Sequence, residues 1–573
     1  MKRVFTLCFL SIYIFLSMFA QNRENAFEVN QRLGRGINMG NAFEAPSETA
    51  WSNPWKPEYF DIMEDLGFKH VRIPIRWEPA DRSMANAPYT IYPVFLQRIK
   101  EVVDKALDNG MMAIINMHHH EDFFADPAGQ MPRFLAQWQQ IADFFKDYPE
   151  DLLFEVFNEP HGNITPAMWN TMFSDALDVI RVTNPNRVVL MGTADFGGLS
   201  GVQHIVLPDD ENIILSVHYY SPFEFTHQGA EWVGSHTNEW LGTKWNDTRA
   251  ERELVISEFA GTIAFSKNQK IPIHVGEFGA YSKADMASRA RWTTFMARWF
   301  EEQGFSWAYW EFSAGYGIYN PQNGSLYTPL VDALLNNEMP EPVEVVSTPI
   351  YQSDFTSGNT GWFLNIQGGA QGNLSNNGTS LVAAVNLAGT QSWHAQLTKG
   401  NISLQKDKTY RIVIRGSSPQ GRACTVYLGR SVDPWDAYSD YYAISFGTEE
   451  REFSYTFTMS KASDAAARLA FDLGTAAGTI NLKEVRVELI ELASSSPDYL
   501  LPDVRVFPNP VIDSFFVTDG SDSDRLMLYD AAGKALLSVS GTTGGINVSH
   551  LPKGFYLVEL VRNGQRFVFK LVK

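Results

Sequence analysis

The sequence predicts an α/β protein: a (β/α)8 barrel, followed by a β-sandwich and then a small all-β domain. Three observations carry that prediction. Between Leu33 and Asn337, short apolar runs alternate with amphipathic helical stretches eight times, the rhythm of parallel strands joined by crossover helices. After a Pro/Glu/Val-rich break from Glu338 to Pro349, helical periodicity gives way to strict alternation. A second break, Ser494-Ser495-Ser496-Pro497, sets off a last segment that closes on a hairpin pattern.

The eight strand candidates are Gly34 to Ile37, His70 to Ile73, Met112 to Ile115, Leu153 to Val156, Val188 to Met191, Ile213 to Ser216, Ile273 to Val275 and Ser306 to Tyr309. Between the second and third, Phe95, Ile99, Val102, Val103 and Ala106 recur at helical spacing. The stripe Trp292, Phe295, Met296, Trp299 and Phe300 lies on one helix face, so it reads as core and not as a sugar platform. In the middle region Phe453, Tyr455, Phe457 and Met459 alternate with Ser454, Thr456 and Thr458, which predicts a sandwich strand. The last hairpin runs from Leu557 to Arg562, turns at Asn563-Gly564 and returns from Arg566 to Lys573. These signals divide the chain into a leader over 1–20, a barrel over 21–340, a linker over 341–350, a sandwich over 351–492, a linker over 493–503 and a tail domain over 504–573.

Composition narrows the functional classes. With 573 residues, 45% of them hydrophobic, the chain has material for two or three cores. Met1-Lys2-Arg3 followed by an apolar run from Val4 to Ala20 has the order of a secretory signal peptide. That run is short for a membrane span and is interrupted by Ser11, Tyr13 and Ser17. Cys8 falls in this leader, which leaves Cys424 alone and excludes an internal disulfide. A net charge of −19 argues against nucleic acid or anionic lipid as a partner. A neutral polysaccharide fits better, and the chain is expected to act as a monomer without a cofactor.

In such barrels the C-terminal ends of the strands carry the chemistry. The polar residues found there are Arg72 after the second strand, His118 and His119 after the third, and Asn158-Glu159-Pro160 after the fourth. His218 and Tyr220 follow the sixth, Gly276-Glu277-Phe278-Gly279 the seventh, and Trp310-Glu311 the eighth. A glutamate behind an apolar strand is costly to desolvate, and two such residues on different strand ends supply what retaining glycoside hydrolysis needs. One protonated carboxyl acts at the leaving oxygen and one carboxylate acts at the anomeric carbon. The tract His118-His119-His120-Glu121-Asp122 also suggests a metal site. Consecutive strand residues point to alternate sides, however, so adjacent histidines do not converge readily on one ion.

The segments Leu33 to Asn41, Val71-Arg72-Ile73-Pro74, Asn116-Met117-His118-His119, Phe157-Asn158-Glu159-Pro160, Val217-His218-Tyr219-Tyr220 and Gly276-Glu277-Phe278-Gly279 together resemble glycoside hydrolase family 5, the endoglucanase family, from about Phe27 to Asn337. The resemblance implies an endo-acting β-1,4-glucanase with Glu159 as acid/base and Glu277 as nucleophile. Physical reasoning adds that neighbouring negative charge raises the pKa of Glu159, while Arg72 and Tyr220 keep Glu277 ionised. Asn158 would donate to the 2-hydroxyl of the sugar, His118 and His218 would organise the network, and Trp310 would form the floor under the ring. Asn41, Glu44, His119, Trp232 and Glu311 are further candidate substrate contacts. Mannan, xyloglucan and mixed-linkage glucan remain alternative substrates. A non-catalytic glycan-binding protein is the reading from another class, against which the carboxylate pair speaks.

The stretches Asn386 to Leu397 and Asp433-Pro434-Trp435 resemble jelly-roll carbohydrate-binding modules, with Trp362, Trp393 and Trp435 as possible stacking rings or as sandwich core. The tail, with Val506-Phe507-Pro508-Asn509-Pro510, Gly554-Phe555-Tyr556 and a closing Lys570-Leu571-Val572-Lys573, resembles the C-terminal sorting domain of type IX secretion. This implies a secreted or cell-surface protein that engages the type IX machinery.

Overall fold

The computed structural model describes residues 26–359, 361–492, 506–507, 509–517, 521, 524–530, 533–562 and 565–573. The leader, the second linker, Pro508 and the Asn563-Gly564 turn lie outside the described residues. Among the described residues, no helix is long and apolar enough to cross a membrane. Two compact units emerge, one containing the barrel, the other the sandwich together with residues 246–257.

The barrel closes as expected. Its parallel strands are β1 (Arg35–Asn38), β2 (His70–Ile73), β3 (Met112–Asn116), β4 (Leu152–Glu155), β5 (Val189–Met191), β6 (Ile213–His218), β7 (Ile273–Glu277) and β8 (Ser306–Tyr309), and β8 pairs back onto β1. Each lies within a residue or two of its sequence-based position. They are buried almost throughout because helices cover the outside and side chains fill the inside. Helix Pro93–Asp108 buries Leu96, Ile99, Val102, Val103 and Ala106, while Phe95 is half-buried, edge-on to Trp77. In helix Met286–Glu302, capped by Asp285 accepting from the Ser288 N–H at 2.9 Å, the stripe Trp292, Phe295, Met296, Trp299 and Phe300 is entirely core.

Two details aim the strands' polar ends. The β6–β7 register shifts between Val217 and His218, so that His218 pairs with Glu277 and both side chains turn toward the C-terminal mouth. Gly40, just past β1, has no room for a side chain, since a Cβ there would lie 2.9 Å from the Trp310 ring. That glycine lets the indole lie across the end of β1.

The sandwich has a six-stranded and a five-stranded antiparallel sheet enclosing Leu381, Leu397, Ile412, Val426, Leu469 and Val485. Phe457 and Met459 are core and Phe453 and Tyr455 pack at its margin, as the alternation predicted. The stretch read as a linker over 341–350 is corrected in part. Residues from Val345 already form a strand, Val345–Ser353, paired with Gly478–Leu492. Pro349 hid it from sequence reasoning, and the ladder accommodates that proline through an irregularity between Pro349 and Tyr351. The sole cysteine of this region, Cys424, is buried, which pushes its thiol up to about 12. Among the described residues, the tail forms a three-stranded and a four-stranded sheet, the latter including the paired strands Phe555–Arg562 and Gln565–Val572.

Candidate active site

At the C-terminal mouth, one cation organises the site from below. Arg72, fully buried on β2, donates from Nε to Glu155 at 2.7 Å, from Nη1 to Glu277 at 2.7 Å and to Asn38 Oδ1 at 2.9 Å, and from Nη2 to Asn158 Oδ1 at 2.6 Å. A guanidinium suits this task because its planar fork serves several acceptors at fixed angles. Burial alone would lower its pKa, yet the two carboxylates raise it, so it stays charged. Because Asn158 Oδ1 is occupied, its amide N–H2 is the part left to face a ligand.

Glu159, from the loop after β4, and Glu277, ending β7, approach each other across the mouth. One carboxylate oxygen of each and a ring nitrogen of His218 lie within 4.8 Å of one another. His218 Nδ1 is 2.7 Å from Glu159 Oε1 and 3.7 Å from Glu277 Oε2. Tyr220 donates its hydroxyl to the same Glu277 oxygen at 3.0 Å. Facing oxygens that close put the two carboxyls within reach of one glycosidic bond. Although three potential ligands converge here, the Arg72 guanidinium already bonded to Glu277 opposes a metal cation.

The electrostatics correct one expectation. Burial raises the pKa of Glu159, but the hydrogen bond and charge of His218 outweigh it and leave the carboxyl below its ordinary value. Burial, with the negative charge of Glu159, lifts Glu277 above the usual carboxylate range against the pull of His218 and Arg72. His218 is itself raised despite burial, because it sits between both carboxylates. The three groups therefore titrate as one coupled set.

The remaining candidates differ in exposure. Trp310 is half-buried and stacks on His118 at 5.7 Å with 9° between planes. His118 is within 3.1 Å of Asn116 Nδ2 through Nδ1, and burial keeps its ring neutral. His119 stands edge-on to His118 at 4.8 Å and to Trp51 at 6.0 Å, whereas His120 is buried with Nδ1 2.7 Å from Glu78. Trp232 is exposed and leans on Tyr281 at 4.8 Å. Asn41 is half-buried with φ 63°, its conformation held by Glu44, which accepts the backbone N–H groups of Asn41 and Ala42.

Glu44 and Glu311, two of the candidate substrate contacts, are both buried, and Glu311 accepts the N–H groups of Ser313 at 2.9 Å and Ala314 at 2.8 Å. Burial pushes Glu44 up to about 8 and Glu311 up to about 7, partly offset by those N–H donors. They brace the loops that carry Asn41 and Trp310. Sequence reasoning missed Asn38, Asn116 and Glu155, which complete the cradle around Arg72. Asn116 Nδ2 donates to Glu155 at 2.9 Å, and Ser216 donates to it at 3.2 Å. The available signal was an acidic residue, Glu155, inside an otherwise apolar strand.

Comparison with known proteins accounts for this arrangement. The family model for cellulase, glycosyl hydrolase family 5, matches residues 36–315. Endoglucanase A of Ruminococcus albus is 30% identical over 350 residues, covering 55% of this chain and 93% of that protein. The Thermotoga maritima Cel5A structure solved with mannotriose superimposes with a TM-score of 0.53 at 47% identity, over 54% of this chain and all of the other. The chain belongs to glycosyl hydrolase family 5. Endoglucanase H of Acetivibrio thermocellus is 37% identical over 316 residues, but the chain spans only 33% of that relative's length, and 40% of the next curated one. Beyond the family 5 domain, a carbohydrate-binding domain model matches residues 348–478 and a secretion system C-terminal sorting domain model matches 505–573. The sorting domain makes this family 5 protein a secreted or cell-surface one.

Proposed function

We propose that the chain is a secreted endo-acting β-1,4-glucanase that cleaves with retention of anomeric configuration. The observation that most supports this reading is the Glu159–Glu277 pair, with facing oxygens within 4.8 Å of each other over the Arg72 cradle. Glu277, oriented by Arg72 and Tyr220, attacks the anomeric carbon. The bond to the glycosidic oxygen breaks as that oxygen takes a proton from Glu159. The proton is available because it lies in the 2.7 Å hydrogen bond between His218 and Glu159. Its shift along that bond leaves a neutral imidazole and an acid carboxyl. Water, deprotonated by Glu159, then releases the sugar from Glu277. Asn158 offers its free N–H2 to the 2-hydroxyl, and Trp310 carries the ring being cleaved. All these residues come from one chain, which fits a monomer.

Activity on this scheme needs Glu277 ionised and the His218–Glu159 proton in place. The acid limb of the pH profile therefore follows the raised pKa of Glu277, and the alkaline limb follows loss of the proton that His218 holds above its ordinary range.

For the sandwich we propose β-glucan binding through Trp393 and Trp435, about half exposed each. Trp362 is 3% exposed and packs in the core with its Nε1 on Tyr351. Domain limits of 21–340, 345–492 and 504–573 fit the strands best, with type IX export through the last. The deciding experiment incubates the full chain with carboxymethylcellulose, barley glucan, glucomannan and xyloglucan and follows reducing ends, with product anomers read by NMR. Highest rates on cellulosic substrates with the β-anomer formed first are expected, whereas an α-first product overturns retention. Preference for glucomannan would favour a mannanase, a reading that the mannotriose complex of Thermotoga Cel5A keeps in view.

A further inference from the structure

The loops after β7 and β8, which carry Glu277 and Trp310, are tied closely to each other. Trp310 N–H donates to the Phe278 carbonyl at 2.9 Å, and Ser282 N–H donates to the Gly315 carbonyl at 3.0 Å. Gly279 approaches Trp310 so closely that a Cβ would stand 2.3 Å from its carbonyl oxygen. A helix side chain reaches both loops. Arg289, on helix Met286–Glu302, donates from Nε to the Ala280 carbonyl and from Nη2 to the Tyr316 carbonyl, both at 2.9 Å.

That place is unfavourable for a cation on two counts. Arg289 is 3% exposed, and both of these acceptors are backbone carbonyls, so the bonds bring no counter-charge to a desolvated guanidinium. It also lies near the N-terminal end of its helix, where the partial positive charge of the backbone opposes a cation. Neither helix preference nor ion pairing explains it. What it holds does. The Tyr316 carbonyl also accepts from the Tyr309 hydroxyl at 3.0 Å, and the Tyr316 N–H donates to Glu311 at 3.3 Å, so buried side chains fix this residue's backbone from both sides. The Tyr316 ring in turn packs 6.1 Å from Tyr220, which bonds Glu277. On the other side, Ser313 donates to Asn53 at 2.9 Å and Asn53 donates to the Gly40 carbonyl at 2.9 Å, which extends the frame to the glycine against the Trp310 indole.

We propose that Arg289 is a positioning residue for the reaction: it holds the loops after β7 and β8 together and so sets the distance between the Glu277 carboxylate and the sugar ring resting on Trp310. It acts through Ala280 and Tyr316 and not on the sugar itself. This rests on the glycosidase reading above. Attack at the anomeric carbon is sensitive to placement, since an error of about 1 Å costs about a hundredfold in rate. A planar fork holds two carbonyls at a fixed angle, whereas an ammonium is a point donor on a flexible stem. Arg187 supplies the internal comparison. It is buried too and donates to the carbonyls of Tyr148 at 3.0 Å and Pro149 at 2.9 Å, but these precede β4, at the end of the strands away from the carboxylates.

The test compares Arg289→Lys, Arg289→Gln and Arg187→Lys in the full chain on cellotetraose and on β-cellobiosyl fluoride. Rates are taken well below each variant's unfolding midpoint, with the folded fraction measured by circular dichroism. The Arg289 variants are expected to lose kcat, about tenfold for lysine and about fiftyfold for glutamine, with KM changed less than about threefold. The loss should be equal on the two substrates, because the defect lies with the nucleophile and the floor and not with the proton donor. Arg187→Lys is expected to lower the unfolding midpoint and leave kcat within about twofold. Arg289 variants that keep kcat within about twofold, or whose loss spares the fluoride, would overturn the positioning role. Failure of both Arg289 variants to fold would also overturn it, since stability would then account for the residue, and so would an equal kcat loss in Arg187→Lys. An unsubstituted protein that turns over neither substrate would instead overturn the glycosidase reading, and the positioning role with it.

Discussion

Two layers inside the same barrel handle buried polarity in opposite ways. Toward the strands' N-terminal ends, His70 on β2 and His274 on β7 face each other at 5.2 Å, with His70 Nδ1 on the Leu33 carbonyl and His274 Nδ1 on Ser306 Oγ. Burial lowers both pKa values, His70 to about 4, so this layer is neutral. His70 fits only because Gly36 lacks a Cβ, which would stand 2.1 Å from the imidazole. Two residues further along β2, Arg72 gathers Glu155 and Glu277 into a charged layer. Where nothing needs doing, buried titratable groups shed their charge. Where a reaction needs charge, the fold keeps it by supplying counter-charge, at a desolvation cost that a stability criterion alone would not justify.

The contrast can be broken from either layer. The largest effect is expected from Glu277→Gln, which keeps shape and removes the nucleophile. The kcat on β-glucan should drop about 10^4-fold, measured by reducing ends, with thermal unfolding little changed. Glu159→Gln should cost about 10^3-fold on polymer but far less on β-cellobiosyl fluoride, whose leaving group needs no proton. Retained polymer activity in either variant would contradict the assigned roles.

Arg72→Met strands two buried carboxylates and should lower unfolding free energy by about 3–5 kcal/mol in urea titrations. In what activity remains, the acid limb should move to higher pH, since Glu277 loses a cation that holds its pKa down. The neutral layer gives the smallest signal. His70 has a folded pKa depressed to about 4 against about 6.5 when unfolded, so the folded state binds fewer protons between those values. Stability is full above about pH 6.5 and should decline by about 3 kcal/mol as pH falls to about 4. His70→Gln should flatten that decline in urea midpoints compared between pH 7 and pH 4.5. An unchanged slope would place the pH dependence elsewhere.

The strands were legible because each buried run is short, apolar and followed by polar residues, a pattern that survives without tertiary information. Glu159, Glu277, Arg72, Asn158, His218 and Tyr220 were legible as strand-end polar residues, and the structure brings all six together. The positions of Glu44 and Glu311 were not. Whether a carboxylate in a strand-end loop faces solvent or caps backbone N–H groups depends on how the loop turns. The direction of the Glu159 shift failed for a related reason. It depends on which neighbour is nearest, and the imidazole of His218 at 2.7 Å outweighs the more distant carboxylate. The three sandwich tryptophans look alike in sequence, and only the packed sheets separate Trp362 from Trp393 and Trp435.

The buried thiol of Cys424 bears on the protein's journey rather than its chemistry. It is the sole cysteine beyond the leader. An exported chain with one accessible sulfhydryl would be prone to cross-link to others in an oxidising compartment. Burial behind the sandwich strands pushes that thiol up to about 12, leaving negligible thiolate at the pH of a cell exterior. Its folded form can therefore travel without a redox chaperone, and heat or denaturant that opens the sandwich should be the condition under which covalent dimers first appear.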